Sequence, residues 1–161
     1  MTPAKFCPSP TGSRMVKLRR PGSAVDNSRI WTQTGQIEEK LAELNEHMEK
    51  VIQMYLRNEY QTIAEYNEQA GVIAEKYHFL VIADFPANFT DVAAKRLLSI
   101  AASGARCGVY MLIHWDHRQP APQEFIPDEL RKSCFCLSSK GKDFLLTGKA
   151  LPGADLVLDA P

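Results

Sequence analysis

The stretch Tyr77-His78-Phe79-Leu80-Val81-Ile82-Ala83-Asp84 carries the reading of this chain. It is a continuous apolar run that ends on an aspartate, with Pro86 close behind. A run without polar alternation suits a strand buried on both faces of a parallel sheet. Pro86 ends it, because proline has no N–H to give to a ladder. Downstream, Thr90 is placed to cap a helix that carries Val92, Leu97, Leu98 and Ala101 on its inner side and stops at Ser103-Gly104. A second buried strand runs from Cys107 to His114. Strand, helix and strand over residues 77–114 form a βαβ unit, right-handed by the general rule. The fold class this implies is α/β.

Upstream, Ile37, Leu41, Leu44, Met48, Val51 and Tyr55 are spaced 4, 3, 4, 3, 4, one apolar stripe along a helix. Glu38, Glu39, Lys40, Glu43, Glu46, Glu49 and Lys50 form its wet side. The same spacing is a heptad seam of nearly three repeats, so the helix either lies on the sheet or pairs with a second copy. Thr62-Ile63-Ala64-Glu65 has capping-box spacing for another helix, and Gly71 supplies its stop. After Pro120, Pro122 and Pro127 comes a short helical turn near Asp128 to Lys132. Then Cys134–Ser138 and Asp143–Thr147 flank Ser139-Lys140-Gly141-Lys142 as a β-hairpin. Leu156-Val157-Leu158 reads as a last edge strand.

The chain has 161 residues, 45% hydrophobic and 24% charged, enough for one domain with a sizeable core. No apolar run approaches the ~20 residues a helix needs to cross a bilayer, and the composition excludes a collagen or a wholly disordered chain. Nineteen basic and nineteen acidic side chains cancel, but unevenly. Residues 1–30 hold six basic groups against Asp26 alone, and residues 31–161 hold thirteen against eighteen. This reads as a basic, disordered leader on an acidic body, either merely solvated or able to touch phosphate or acidic lipid. The leader has no long apolar segment and is not a secretory signal. Cys7, Cys107, Cys134 and Cys136 make no C-x-x-C pair, which suits buried thiols in a reducing, cytoplasmic setting. His114 and His117 are the histidines whose position suggests partners for Cys107. Cys107 and His114, however, sit at opposite ends of one strand, some 20 Å apart at ~3.3 Å per residue, and form no dyad.

In open α/β sheets, sites lie at the carboxyl ends of the strands, here Asp84 and His114-Trp115-Asp116. An aspartate closing an apolar strand can hold magnesium through water, or simply cap the next loop. Read in order, several segments resemble the FtsK/SpoIIIE family of DNA-pumping ATPases. They are Glu46-His47-Met48-Glu49, Tyr55-Leu56-Arg57-Asn58, Thr62 to Asn67, Phe79 to Asp84, and Gly104 to Ile113. The resemblance covers about residues 36–118. It implies a partial RecA-like P-loop NTPase core over residues 31–161, with parallel strands, packed helices and a C-terminal β-hairpin. It further implies ATP and Mg²⁺ as cofactors, with Asp84 as the Walker B aspartate on Mg²⁺ and Asp116 at the γ-phosphate sensor position. Arg57 with Asn58, and Tyr66 with Asn67, match paired positions of the family, while Arg106 stands one position from its arginine.

The departures are as informative. There is no G-x-x-x-x-G-K-[ST] loop to cradle phosphates. Gly141-Lys142 and Gly148-Lys149 are followed by Asp143 and Ala150 instead of Ser or Thr. Phe85 stands where the family has its catalytic glutamate, and Trp115 at the sensor threonine. Single positioning groups are worth on the order of 10²–10³ in rate, so losing cradle, lysine and base together should leave no hydrolysis by the isolated chain. The expectation is a degenerate or truncated motor module in an ATP-driven DNA- or substrate-translocating assembly, placed in the cytoplasm or, within a longer protein, at the cytoplasmic face of a membrane. Its partners would be other ATPase modules or subunits of a ring. DNA contact would be weak and salt-sensitive, through the basic leader and Lys140/Lys142. The competing expectation is a non-enzymatic interaction protein that dimerises or docks through Ile37–Tyr55.

Overall fold

The structure, a computed structural model, describes residues 14–17, 30–57, 59–140, 143–147 and 149–150. Strand β1 (Arg14–Lys17) and the two-residue β2 (Ile30–Trp31) precede helix α1 (Thr34–Val51), which runs on through a π-helical turn over Ile52–Leu56. Helix α2 (Ile63–Ala70) and a 3₁₀ turn (Gly71–Ile73) lead to β3 (His78–Phe85), α3 (Asp91–Ser103) and β4 (Val109–Trp115). Helix α4 (Pro127–Ser133) and strands β5 (Leu137–Lys140), β6 (Asp143–Leu146) and β7 (Lys149–Ala150) follow.

The main sheet has the order β2-β1-β3-β4. Only β3 and β4 are parallel, in register from His78↔Val109 to Ile82↔Ile113, with an irregularity before Phe85↔Trp115. β1 lies antiparallel to both β2 and β3. The segment expected as a leader thus supplies a strand at Arg14–Lys17, on the edge of β3 that a half-domain would have left open. The sheet is mixed α/β with one parallel pair. The second sheet, β5-β6-β7, is antiparallel and contains the expected hairpin, Leu137↔Leu146 to Lys140↔Asp143. Its strand starts at Leu137, so Cys134 and Cys136 precede the ladder instead of sharing a strand face. The edge strand expected at Leu156–Leu158, the hairpin-tip Lys142, Cys7 and Asn58 lie outside the described residues.

The α1 stripe is buried against the chain's own α3. Ile37, Leu41, Met48 and Val51 join Ala93, Ala94, Leu97 and Ile100 in one core with Leu80, Ile82 and Phe85 of β3. Leu44 and Tyr55 pack on its margin. Polar ties fix the two helices. Arg96 Nη1 donates to the Glu38 carbonyl at 2.9 Å, and Thr90 Oγ1 donates to the Glu38 carboxylate. Thr90 Oγ1 also accepts from the Ala93 N–H, the cap its position indicated. The heptad seam is therefore occupied within one chain, and α1 presents no apolar stripe for a second copy.

Two expectations about burial are corrected. The run at β3 alternates: Leu80, Ile82 and Phe85 are buried, but Phe79 is 48% exposed. On β4, Tyr110 and Leu112 are 40% and 66% exposed. Helices cover one face of the sheet, so an apolar sequence does not here mean two covered faces. On α3, Val92 is 48% exposed and Ala93, Ala94 and Ile100 face inward instead. Close packing of α3 on α1 selects the two small alanines over the bulkier valine.

Gly104 makes the α3–β4 turn tight. A Cβ there would meet the carbonyl oxygens of Ile100 at 2.5 Å and Val109 at 2.8 Å, so no other residue fits without moving backbone. Gly108 follows with φ +77°, a left-handed conformation that glycine adopts without steric cost.

Candidate functional site

The parallel pair β3–β4 has two ends, and each gathers polar groups. At the carboxyl end, Asp84 has φ +60° and its Oδ1 lies 3.4 Å from Nδ1 of His114 on the neighbouring strand. Both side chains are largely exposed, 51% and 71%. One residue further along each strand, Phe85 and Trp115 pack edge to face at 6.0 Å, together with Phe89 and Phe125. Phe85 is fully buried, so the position that resembles a catalytic glutamate is a core residue. Asp116 donates its backbone N–H to the Phe85 carbonyl at 2.8 Å, which continues the strand pairing by one step.

The Asp116 carboxylate is held in a fork. Arg118 Nε donates to Oδ1 at 2.8 Å and Nη2 to Oδ2 at 3.0 Å, while the Arg118 backbone N–H adds a third bond to Oδ1. These hydrogen bonds, the Arg118 side chain first, hold the carboxyl well below the usual carboxylate range, and the same contact raises Arg118. Gln119 Nε2 approaches Oδ2 at 3.4 Å. Asp84 and Asp116 thus flank one strand pairing, yet each carboxylate has a basic group of its own.

This carboxyl end does not fit a magnesium-nucleotide. Both Asp116 oxygens are committed to a guanidinium, the Asp84 carboxylate sits beside an imidazole, and no glycine-rich cradle exists in the sequence. No chemical step is therefore assigned to ATP or Mg²⁺ here. Cys107, expected to open the strand, instead lies buried at the end of the 3₁₀ turn before β4, and burial pushes its thiol up, as it does for Cys134. Neither has the lowered pKa that an activated nucleophile needs.

The amino end of the same strands is built differently. His78 opens β3 and donates its backbone N–H to the Gly108 carbonyl at 2.8 Å. Its ring lies 4.4 Å from that of His47 on α1, tilted by 51°. Glu75, in the loop between the 3₁₀ turn and β3, completes a group in which one donor atom from each residue lies within 4.8 Å of the others. All three are half-buried. Asn67, near the end of α2, clamps Glu75 by both backbone groups. Its Oδ1 accepts from the Glu75 N–H at 2.7 Å and its Nδ2 donates to the Glu75 carbonyl at 2.9 Å.

Tyr55 lies near the Glu75 carboxylate, whose charge, aided by burial, pushes the phenol up. Tyr66 packs against Tyr55 at 4.9 Å and edge-on to Tyr60 at 5.6 Å. The pair Tyr66-Asn67, marked by resemblance alone, therefore frames Glu75. Arg57 turns back on its own helix, Nε to the Gln53 carbonyl at 3.0 Å, and Arg106 lies exposed in the turn before β4.

Sequence reasoning weighed only His114 and His117 as histidine ligands and passed over His47, Glu75 and His78. The legible part of the signal was Glu75-x-x-His78 at the strand entrance. The arrival of His47 was not legible, since it depends on how α1 crosses the sheet. No protein-family profile, curated protein or solved structure matches the chain. No helix among the described residues is long and apolar enough to cross a membrane.

Proposed function

We propose that the chain is a non-hydrolysing module of FtsK/SpoIIIE type, working as a docking part of an ATP-driven assembly that moves DNA or another substrate. The observation that carries this reading is the parallel β3–α3–β4 unit, with Asp84 closing its first strand inside the motif order quoted above. Asp116 on the adjacent strand end supports the same placement. In this reading the family's ATP and Mg²⁺ have no role here, which the contacts of Asp84 with His114 and of Asp116 with Arg118 support. Partners are other modules of the assembly, and DNA contact is confined to weak, salt-sensitive attraction by basic groups.

Calorimetry of the chain with Mg·ATP tests this. The reading expects no turnover and no heat at millimolar nucleotide. Heat that vanishes in Asp84→Ala would mean that a nucleotide site survives and that the docking role is the wrong one.

A second reading, an interaction protein unrelated to motors, is favoured by one observation. Phe79 and Tyr110 stack at 5.6 Å on the sheet face that no helix among the described residues covers, beside exposed Tyr77 and Leu112. Exposed apolar patches of this kind mark binding surfaces. Burial of Ile37, Leu41, Met48 and Val51 favours the sheet face over the α1 stripe for that role. Sedimentation of Leu112→Lys beside the parent separates the two surfaces: loss of self-association assigns it to the sheet face.

A further inference from the structure

We propose that His47, Glu75 and His78 form a binding site for a first-row divalent metal ion, zinc foremost, with water completing its coordination. The proposal does not rest on the motor-module reading and survives its failure. Two imidazole nitrogens and one carboxylate oxygen are a donor set that suits zinc and its first-row neighbours. Magnesium and calcium prefer oxygen ligands throughout and are poorly served here.

The distances support a site that closes on its ion. Metal–ligand bonds of 2.0–2.1 Å in a tetrahedron set ligand atoms ~3.4 Å apart. The three donor atoms already lie within 4.8 Å of one another, so closure asks for an adjustment of just over ~1 Å. Glu75, with three rotatable side-chain bonds, can supply most of it.

What surrounds the donors argues that the arrangement is held in place. His47 stands on a helix anchored on both sides of it by buried Leu41, Met48 and Val51. His78 is pinned where β3 begins, by its N–H on Gly108. Asn67 fixes the Glu75 backbone twice over. The Glu75 side chain is a carboxylate with roughly four lone-pair positions to offer a cation. Metal ligands are commonly oriented by outer hydrogen bonds, whose loss costs ~10–100-fold in affinity. Three protein ligands leave a coordination position for water, as in open zinc sites.

The chain carries its own controls. It has four histidines, and His114 and His117 lie at the opposite end of the sheet. The full chain is titrated with zinc by calorimetry, and with cobalt(II) as a visible-absorption probe. One ion per chain is expected, with cobalt bands of a low-coordinate nitrogen and oxygen site. His47→Gln and His78→Gln should each weaken binding by at least ~100-fold. The double variants His114→Ala/His117→Ala and Cys134→Ser/Cys136→Ser should bind as the parent does.

Metal binding that persists in His47→Gln and His78→Gln, or that disappears with the cysteine pair, overturns the proposal. So does the absence of heat and of cobalt bands at millimolar metal. Should the histidine variants fail to fold, nitrogen NMR of the parent decides. Zinc must shift the ring signals of His47 and His78 and leave those of His114 and His117 in place, and the reverse pattern refutes the site.

Discussion

The two ends of the β3–β4 pair contrast in how they treat their polar groups. At the carboxyl end each carboxylate meets a neighbour: Asp116 is forked by Arg118 two residues on, and Asp84 lies beside His114 of the adjacent strand. Each carboxylate meets a basic group on an exposed rim, and the aromatic cluster of Phe85, Trp115 and Phe125 fills the space behind. At the amino end, donors from a helix, a loop and a strand start converge, half-buried, with Asn67 fixing the backbone of one of them. A carboxylate with both oxygens taken by a guanidinium, as at Asp116, has little capacity left for a ligand. Convergent donors from distant parts of a chain retain it. The general rule that places ligands at the carboxyl ends of parallel strands thus points away from the better-equipped end of this sheet.

The largest effect expected is one that removes both ends together. Leu97 is fully buried where α3 meets α1 and the sheet, and Leu97→Ala should destabilise the fold by about 2–5 kcal/mol. Urea unfolding measures it. A loss well under that range would mean that α3 is not the shared support of the two ends.

Next comes a change confined to the amino end. Zinc should raise the melting temperature of the parent, because an ion that binds only the folded state stabilises it by mass action. His78→Gln should abolish that rise, and His114→Ala should keep it. Equal loss in both variants would dissolve the contrast between the ends.

A subtler test addresses the carboxyl end by pH. The folded-state pKa of Asp116 is depressed by Arg118, so its contribution is present above the unfolded value of about 3.9 and is lost as pH falls through the folded value. The stability gap between the parent and Asp116→Asn should therefore be full near neutrality and close on acidification below pH ~4. A gap that widens in acid would show that the fork is not what holds this carboxylate. The smallest effect belongs to His114→Ala. An exposed pair of this kind is worth ~0.5 kcal/mol or less, so its urea midpoint should barely move. A shift of several times that size would mark the carboxyl end as more than a solvated rim.

Much of the local structure was legible. The 4-3-4-3-4 spacing places α1, Thr90 caps α3, and Gly71 takes positive φ where α2 stops, whereas Gly108, expected inside the strand, turns at φ +77° before β4 begins. Thr62 accepts from the Glu65 N–H at 3.3 Å, but the Glu65 carboxylate reaches the Gln61 N–H, one residue short of the reciprocal bond that capping-box spacing suggests. The uncovered sheet face was not legible, because an unbroken apolar run has no period from which to count its covered faces. Nor was β1, whose four residues lie in a basic stretch and form a strand only by pairing with β3.

What the sequence determined by itself are the elements whose cause is local: a helical stripe, a capping hydroxyl, a strand ended by proline, the absence of a phosphate cradle. The tertiary structure alone decided which sheet face is covered and which donors meet. Residues 47, 75 and 78 share a site because α1 packs on α3 and carries His47 to the entrance of β3. Positions separated by almost thirty residues are brought together only by burial of the core between them, which a local pattern does not encode.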